Sequence, residues 1–165
     1  MAITAYSAWW FLPFVLPLCF YVAFTDLSRM KITNQTVLVL AAVFVLVGPV
    51  ALPSLDVYLW RLVQLAIMLV FGIMLNAAGA MGAGDAKFIA AAAPYVALGD
   101  LRLVLALLAA SLLAAFVTHR IARYSPLHKL APDWKSWSQG KKFPMGLALG
   151  MALSLYLILG ALKGA

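Results

Sequence analysis

Six stretches of the chain are almost entirely apolar, and short polar segments separate them. The stretches cover residues 9–25, 36–52, 57–78, 86–98, 103–118 and 145–162. Their apolar residues are continuous and do not alternate with polar ones, and a helix of about 20 such residues crosses the ~30 Å hydrocarbon core of a bilayer. The pattern predicts an all-α, polytopic membrane protein with about six transmembrane helices in one domain, residues 1–165.

The fourth stretch is the weakest part of this prediction because it is short. Residues 86–98 cover only ~20 Å at 1.5 Å per residue, and Pro94 lies inside them. A full crossing needs flanking residues or a thinned bilayer. The alternative is a segment that enters the bundle without crossing it.

Composition agrees with a membrane protein and excludes an ordinary soluble domain. Hydrophobic residues make up 66% of the chain and the mean hydropathy is +1.03, whereas soluble domains are about 45–50% apolar. Cys19 is the only cysteine, so neither a disulfide framework nor a zinc site is expected. His119 and His128 have no neighbouring cluster of carboxylates, and we expect no metal and no cofactor.

The basic residues are distributed unequally between the two sides that six crossings would create. One side holds Arg29, Lys31, Lys87, Arg120, Arg123, Lys129, Lys135, Lys141 and Lys142. The other side holds only Arg61, Arg102 and Lys163. By the positive-inside rule the first group is cytoplasmic, which places both termini outside.

The longest connection, residues 119–144, is a basic loop on the predicted cytoplasmic side. It contains Trp134 and Trp137 among several lysines. Basic segments with interspersed aromatic residues bind anionic membrane surfaces. We therefore expect anionic lipid near this loop. Nucleic acid would need the same charges, but lipid is the nearer anion.

The five acidic residues are all Asp, and two of them occupy exceptional positions. Asp26 directly follows the first apolar stretch, and Asp85 closes a Gly-Ala-Gly-Asp segment. Both fall on the predicted cytoplasmic side, whereas Asp56 and Asp100 fall on the other side as ordinary loop acids. A carboxylate at the membrane edge is costly, so such an acid is a functional candidate by default.

Two aspartates that meet at one face could hydrolyse a peptide bond. Like charges a few ångströms apart do not both ionise easily, so the pair shares a proton. The ionised member then accepts a proton from the attacking water, and the protonated member polarises the scissile carbonyl.

Structural alternatives exist for each residue. Asp26 could be an interfacial residue beside snorkelling cations, Asp85 could be the N-cap of the fourth helix, and Asn34 is a plausible N-cap of the second. The glycines before Asp85 permit unusual backbone angles and close backbone approach, so an extended substrate could lie against them.

Three motifs together resemble the type IV prepilin peptidases, which are polytopic Gly-x-Gly-Asp aspartyl proteases. The motifs are Asp26-Leu27 with Ile32-Thr33-Asn34, then Gly82-Ala83-Gly84-Asp85-Ala86-Lys87, and Phe143-Pro144-Met145-Gly146 at the start of the last helix. The resemblance implies that Asp26 and Asp85 are the catalytic pair. It implies that Gly82, Gly84 and Lys87 belong to the substrate-binding motif.

The resemblance also implies a substrate and a location. The family removes the short basic leader of a prepilin or pseudopilin at the cytoplasmic face of the bacterial inner membrane, and the substrate's apolar helix stays in the bilayer. Thr33 stands where Pro is usual. Paired Cys-x-x-Cys motifs are missing, so methyltransferase activity is not expected. The short form resembles the peptidases of tight-adherence (Flp) pilus systems.

Two other functions use the same acids. A small ion- or proton-coupled transporter subunit would employ Asp26 and Asp85 as relay carboxylates. A protease of presenilin type would share the Gly-x-Gly-Asp segment, but the residues around Asp26 fit the prepilin class better.

Overall fold

The computed structural model describes residues 1–139 and 143–165, and six α-helices account for most of them. The helices are α1 Ala5–Arg29, α2 Asn34–Ala51, α3 Leu55–Ala77, α4 Ala83–Ala92, α5 Leu101–Tyr124 and α6 Met145–Lys163. All except α4 are long and apolar enough to cross a membrane. The predicted all-α polytopic fold is confirmed. The predicted basic residues Lys141 and Lys142 lie outside the described residues.

The helices extend beyond the apolar stretches at most ends. The largest difference is in α5, which continues to Tyr124, so the prediction that a loop begins at residue 119 was wrong. Polar side chains interrupt the apolar pattern there, but the backbone hydrogen bonding of the helix continues past them. After α5, the described part of the connection contains two short 3₁₀ helices, Pro126–Leu130 and Lys135–Trp137.

The fourth segment passes through the bundle without being one continuous α-helix. α4 ends at Ala92, two residues before Pro94, and 3₁₀ turns follow. Pro94 has no N–H to donate, which ends regular α-helix formation. The carbonyls of Ala93 and Val96, in the turns that follow α4, accept hydrogen bonds from Gln64 Nε2 at 2.7 and 3.2 Å.

Helices α1 and α6 are packed closely and run antiparallel. A Cβ atom on Gly150 would lie 2.8 Å from the carbonyl oxygen of Cys19, and one on Gly160 would lie 2.9 Å from Ile3. Only glycine permits such an approach, and small residues commonly form the contact surfaces of membrane helices. This packing fixes the N-terminal end of α6 against the C-terminal end of α1.

Asp100 is part of the core at the opposite end of the bundle. It is 6% exposed, and its carboxylate accepts hydrogen bonds from the backbone N–H groups of Ala2 and Ile3 at 2.7 and 2.9 Å and from the Tyr156 hydroxyl at 2.9 Å. The prediction of an ordinary loop acid was wrong for Asp100. Its neighbours along the chain carry no sign of this role, since all three donors are far away in sequence.

Replacing this carboxylate should destabilise the protein. In Asp100→Asn one acceptor oxygen becomes an amide that faces hydrogen-bond donors, so we expect a loss of about 1–3 kcal/mol in the free energy of unfolding. Thermal unfolding of the purified protein in detergent measures this change. Asp56→Asn is the control, because Asp56 is exposed in the first turn of α3. Equal melting temperatures for the two variants would contradict the role given to Asp100.

Candidate active site

Asp26 and Asp85 lie at the same end of the bundle. Asp26 belongs to the last turn of α1 and is 6% exposed, while Asp85 is the third residue of α4 and is half-buried. The carboxyl groups are close enough for the charge of Asp26 to act on Asp85. Two acids 59 positions apart in the numbering therefore share one end of the bundle, because α2 and α3 carry the chain away and back.

The N-terminus of α6 holds the Asp26 side chain in place. The backbone N–H of Gly146 donates to Asp26 Oδ2 at 2.6 Å. Gly146 is in the first turn of α6, where N–H groups have no partner inside the helix, and the positive end of the helix dipole stabilises a nearby negative charge. A Cβ on Gly146 would lie 2.9 Å from both Cβ and Oδ2 of Asp26, so a glycine is needed for this contact.

Gly84 allows the Gly-x-Gly-Asp segment to contact the segment that follows Asp26. A Cβ on Gly84 would lie 3.3 Å from Cβ of Ile32, so the missing side chain lets α4 begin directly against the segment after Asp26. Of the two roles considered for these glycines, Gly84 has the close approach and not the unusual backbone angle. Gly84 is helical, and within the described residues only Met30 and Gly79 have positive φ.

Lys87 forms a second contact between the motifs. Its Nζ donates to Asn34 Oδ1 at 3.0 Å. Asn34 was predicted to be the N-cap of α2, and this prediction was wrong. Thr33 is the N-cap, and its Oγ1 accepts from the N–H of Thr36 at 3.3 Å. The Asn34 side chain is thereby left to accept from Lys87, across 53 positions of sequence.

One alternative made Asp85 the N-cap of α4, and this alternative was wrong. Gly82 holds that position. A Cβ on Gly82 would lie 2.7 Å from Asp85 Oδ2, so the carboxyl group occupies space that only a glycine leaves open. Asn76, near the end of α3, forms a further contact at this turn. Asn76 donates from its side-chain amide to the carbonyl of Met81 at 2.9 Å and so fixes the turn before Gly82.

Burial, and secondly the charge of Asp26, raise the pKa of Asp85 to about 6. Removing water disfavours the charged form of a carboxyl group, and a neighbouring negative charge disfavours it further. The pair therefore gains and loses a proton close to neutral pH. Strongly shifted pKa values of this kind are common at functional sites.

The effects of burial and of the Asp26 charge on the pKa of Asp85 can be separated experimentally. Asp26→Asn removes the repulsion but not the burial, so the pKa of Asp85 should fall below about 6 and remain above its ordinary value of 3.8. A carboxyl-carbon NMR titration of the labelled protein measures it. Asp56→Asn, at the other end of the bundle, should leave the pKa unchanged. An identical pKa in the wild type and in Asp26→Asn would show that the two carboxyl groups do not interact.

The basic connection packs over the end of the bundle that holds Asp26. Trp134 lies edge-on against Phe24 of α1 at 6.0 Å between ring centroids. Trp134 also stacks on Trp137 at 5.7 Å, and Trp137 stacks on His119 of α5 at 5.0 Å. Both indoles thus have partners inside the protein. The described residues include no group of three or more His, Cys, Asp or Glu with the geometry of a metal site.

Comparison with known proteins agrees with these motifs. A family model described as the type IV leader peptidase family matches residues 13–119. The match includes both aspartates, the Ile32-Thr33-Asn34 segment and the Gly-x-Gly-Asp segment. No curated protein and no solved structure matches the chain significantly. Since the match covers more than half of the chain, this helical membrane protein belongs to the type IV leader peptidase family.

Proposed function

We propose that the protein is a membrane-embedded aspartyl endopeptidase that removes the short basic leader of type IV, Flp-like prepilins at the cytoplasmic face of the bacterial inner membrane. Asp26 and Asp85 are its catalytic pair. The location of both carboxyl groups at one end of the bundle, near enough for the charge of Asp26 to act on Asp85, carries the proposal. Family membership supports the peptidase activity.

The chemistry follows from a shared proton. At a pH near the raised pKa of Asp85, one carboxyl group is ionised and the other protonated. The ionised group takes a proton from water as the oxygen attacks the scissile carbonyl carbon, and the protonated group donates a hydrogen bond to the carbonyl oxygen. Collapse of the tetrahedral intermediate transfers a proton to the leaving amine. The pair titrates as one unit, so either acid can begin as the base.

The glycine motif and Lys87 support the pair. Gly82 leaves space for the Asp85 carboxyl group, Gly84 allows α4 to approach Ile32, and Lys87 bonds to Asn34. These contacts hold the start of α4 against the connection between α1 and α2. We propose that the extended segment of the prepilin at the cleavage site lies along this end of the bundle, while its apolar helix stays in the bilayer. Anionic lipid near the basic connection is part of the same proposal.

A transporter that uses relay carboxylates has less support. A relay across a membrane needs ionisable groups at successive depths. All five acids of the chain are Asp, and Asp26 and Asp85 share one end of the bundle. Asp100 lies at the other end, where three hydrogen bonds already occupy its carboxylate.

Co-expression with candidate prepilins tests the proposed activity. The protein is produced with an Flp-like prepilin, and the intact mass of the pilin is measured. Loss of the leader only when the peptidase is present would support the proposal. Full-length prepilins in every pairing, at normal amounts of folded peptidase, would contradict the choice of substrate.

Cysteine labelling tests the proposed orientation. In a Cys19→Ala background, Ala83→Cys and Ser138→Cys should resist an impermeant thiol reagent added outside intact cells and react once the membrane is opened. Ser54→Cys should react from outside, because Ser54 lies in the connection between α2 and α3 at the other end. All three positions are exposed. Labelling of Ala83→Cys in intact cells would reverse the orientation.

A further inference from the structure

Two adjoining cavities lie away from the aspartates. The first, of about 400 Å³, is an apolar cleft between α3 and α5 with α4 and α6 as its floor. The second, of about 350 Å³, lies beside the start of α1 and the connection between α2 and α3. Trp60, Gln64 and Leu98 line both cavities, so together they form one site with an apolar part and a polar part.

Two buried polar atoms at the polar cavity have no hydrogen-bond partner in the part of the chain that the structure describes. Among the described residues, Arg61 Nη1 and Gln64 Oε1 are buried and have no hydrogen bond. Buried polar groups are normally paired, because leaving one unpaired is costly. Asp100 is close by, but its carboxylate is occupied by Ala2, Ile3 and Tyr156. A ligand that supplies both an anion and a donor would satisfy the two groups.

Arg61 lies near one end of the membrane-spanning helix α3, within reach of a lipid headgroup. It stands six residues after Leu55, the first residue of α3, which corresponds to about 9 Å along the helix. Trp60 beside it is 71% exposed, and exposed Trp is typical of the membrane–water interface. Arginine donates paired hydrogen bonds to phosphate.

The apolar cleft has the size of a hydrocarbon chain. Its volume is at the lower end of the ~300–1,000 Å³ of small-molecule sites, and a helix ~10–12 Å across does not fit inside it. It extends along α3 and α5, both of which expose large apolar side chains such as Ile67 and Leu105. A flexible acyl chain fits this space. Phe88 and Leu149 line the far end of the cleft.

We propose that the two cavities bind one anionic glycerophospholipid. The phosphate lies against Arg61, a hydroxyl of the headgroup donates to Gln64 Oε1, and one acyl chain fills the cleft between α3 and α5. Phosphatidylglycerol supplies all three features. This site is separate from the proposed catalytic pair and does not depend on the peptidase activity.

Native mass spectrometry of the delipidated protein in detergent tests the site. Phosphatidylglycerol should bind as a single adduct at least about tenfold more tightly than phosphatidylcholine of the same acyl chains, because only phosphatidylglycerol carries a net negative charge and a headgroup hydroxyl. Arg61→Gln should weaken phosphatidylglycerol binding about tenfold, because the phosphate loses its charged hydrogen bond. Arg102→Gln is the matched control, because Arg102 is exposed at the same end and lines neither cavity.

Further measurements separate the two parts of the site. Val63→Trp, which places a large ring in the apolar cleft, should weaken phosphatidylglycerol binding severalfold. Glycerol 3-phosphate, the headgroup without chains, should not displace the lipid. Equal binding of the two lipids by the wild type, equal losses in Arg61→Gln and Arg102→Gln, or displacement by glycerol 3-phosphate would overturn the proposal. The wild-type comparison decides it even if a variant fails to fold.

Discussion

Asp26→Asn and Asp85→Asn should each abolish leader cleavage while the protein still inserts and accumulates. An amide cannot exchange the proton that the proposed mechanism moves at each carboxyl group, and general acid–base catalysis contributes ~10²–10⁴-fold to rates. We expect each variant to lose at least that much. The measurement is the fraction of prepilin processed, at matched amounts of folded peptidase.

The structure indicates why these variants should fold. Asn has nearly the size of Asp, and its side-chain oxygen can still accept the N–H of Gly146. At position 85 the amide occupies the space above Gly82 that the carboxyl group occupies now. Asp56→Asn is the active control, since Asp56 is exposed at the other end of the bundle. Wild-type turnover by either Asp26→Asn or Asp85→Asn would remove that residue from the mechanism.

Gly146→Ala should lower cleavage at least about 100-fold while the fold is retained. The new Cβ would lie 2.9 Å from Cβ and Oδ2 of Asp26, so the carboxyl group must move away from the α6 N-terminus. A displacement of about 1 Å at a catalytic group can cost ~10²-fold in rate. Alanine also favours a helix over glycine by ~1 kcal/mol, which offsets part of the packing cost.

Gly150→Ala distinguishes an effect on catalysis from an effect on helix packing. It adds a methyl group to the same interface between α1 and α6, 2.8 Å from the carbonyl oxygen of Cys19, but one turn away from the carboxyl group. We expect lower thermal stability and nearly normal turnover per folded molecule. If Gly146→Ala keeps wild-type turnover, or if both variants lose turnover equally, the contact between Gly146 and Asp26 has no catalytic importance.

The sequence by itself determined the class of the protein and the pair of acids. Continuous apolar stretches can satisfy their backbone polar groups in a bilayer only as helices, so the all-α prediction rests on physics that needs no tertiary detail. The rarity of acids made Asp26 and Asp85 conspicuous, and an even number of passes through the bundle between them placed both at one end. The motifs predicted the family that the comparison confirmed.

The contacts around Asp26 and Asp85 depend on the tertiary structure. The hydrogen bond from Gly146 to Asp26, the pair formed by Lys87 and Asn34, and the packing of Gly84 on Ile32 join positions far apart in sequence. The sequence pattern around Asn34 predicted an N-cap there, because local rules consider only neighbours along the chain. Asp100 was misjudged for the same reason. Whether a polar group is buried and paired depends on which helices pack together, and helix packing is set by the summed fit of side chains across the whole bundle.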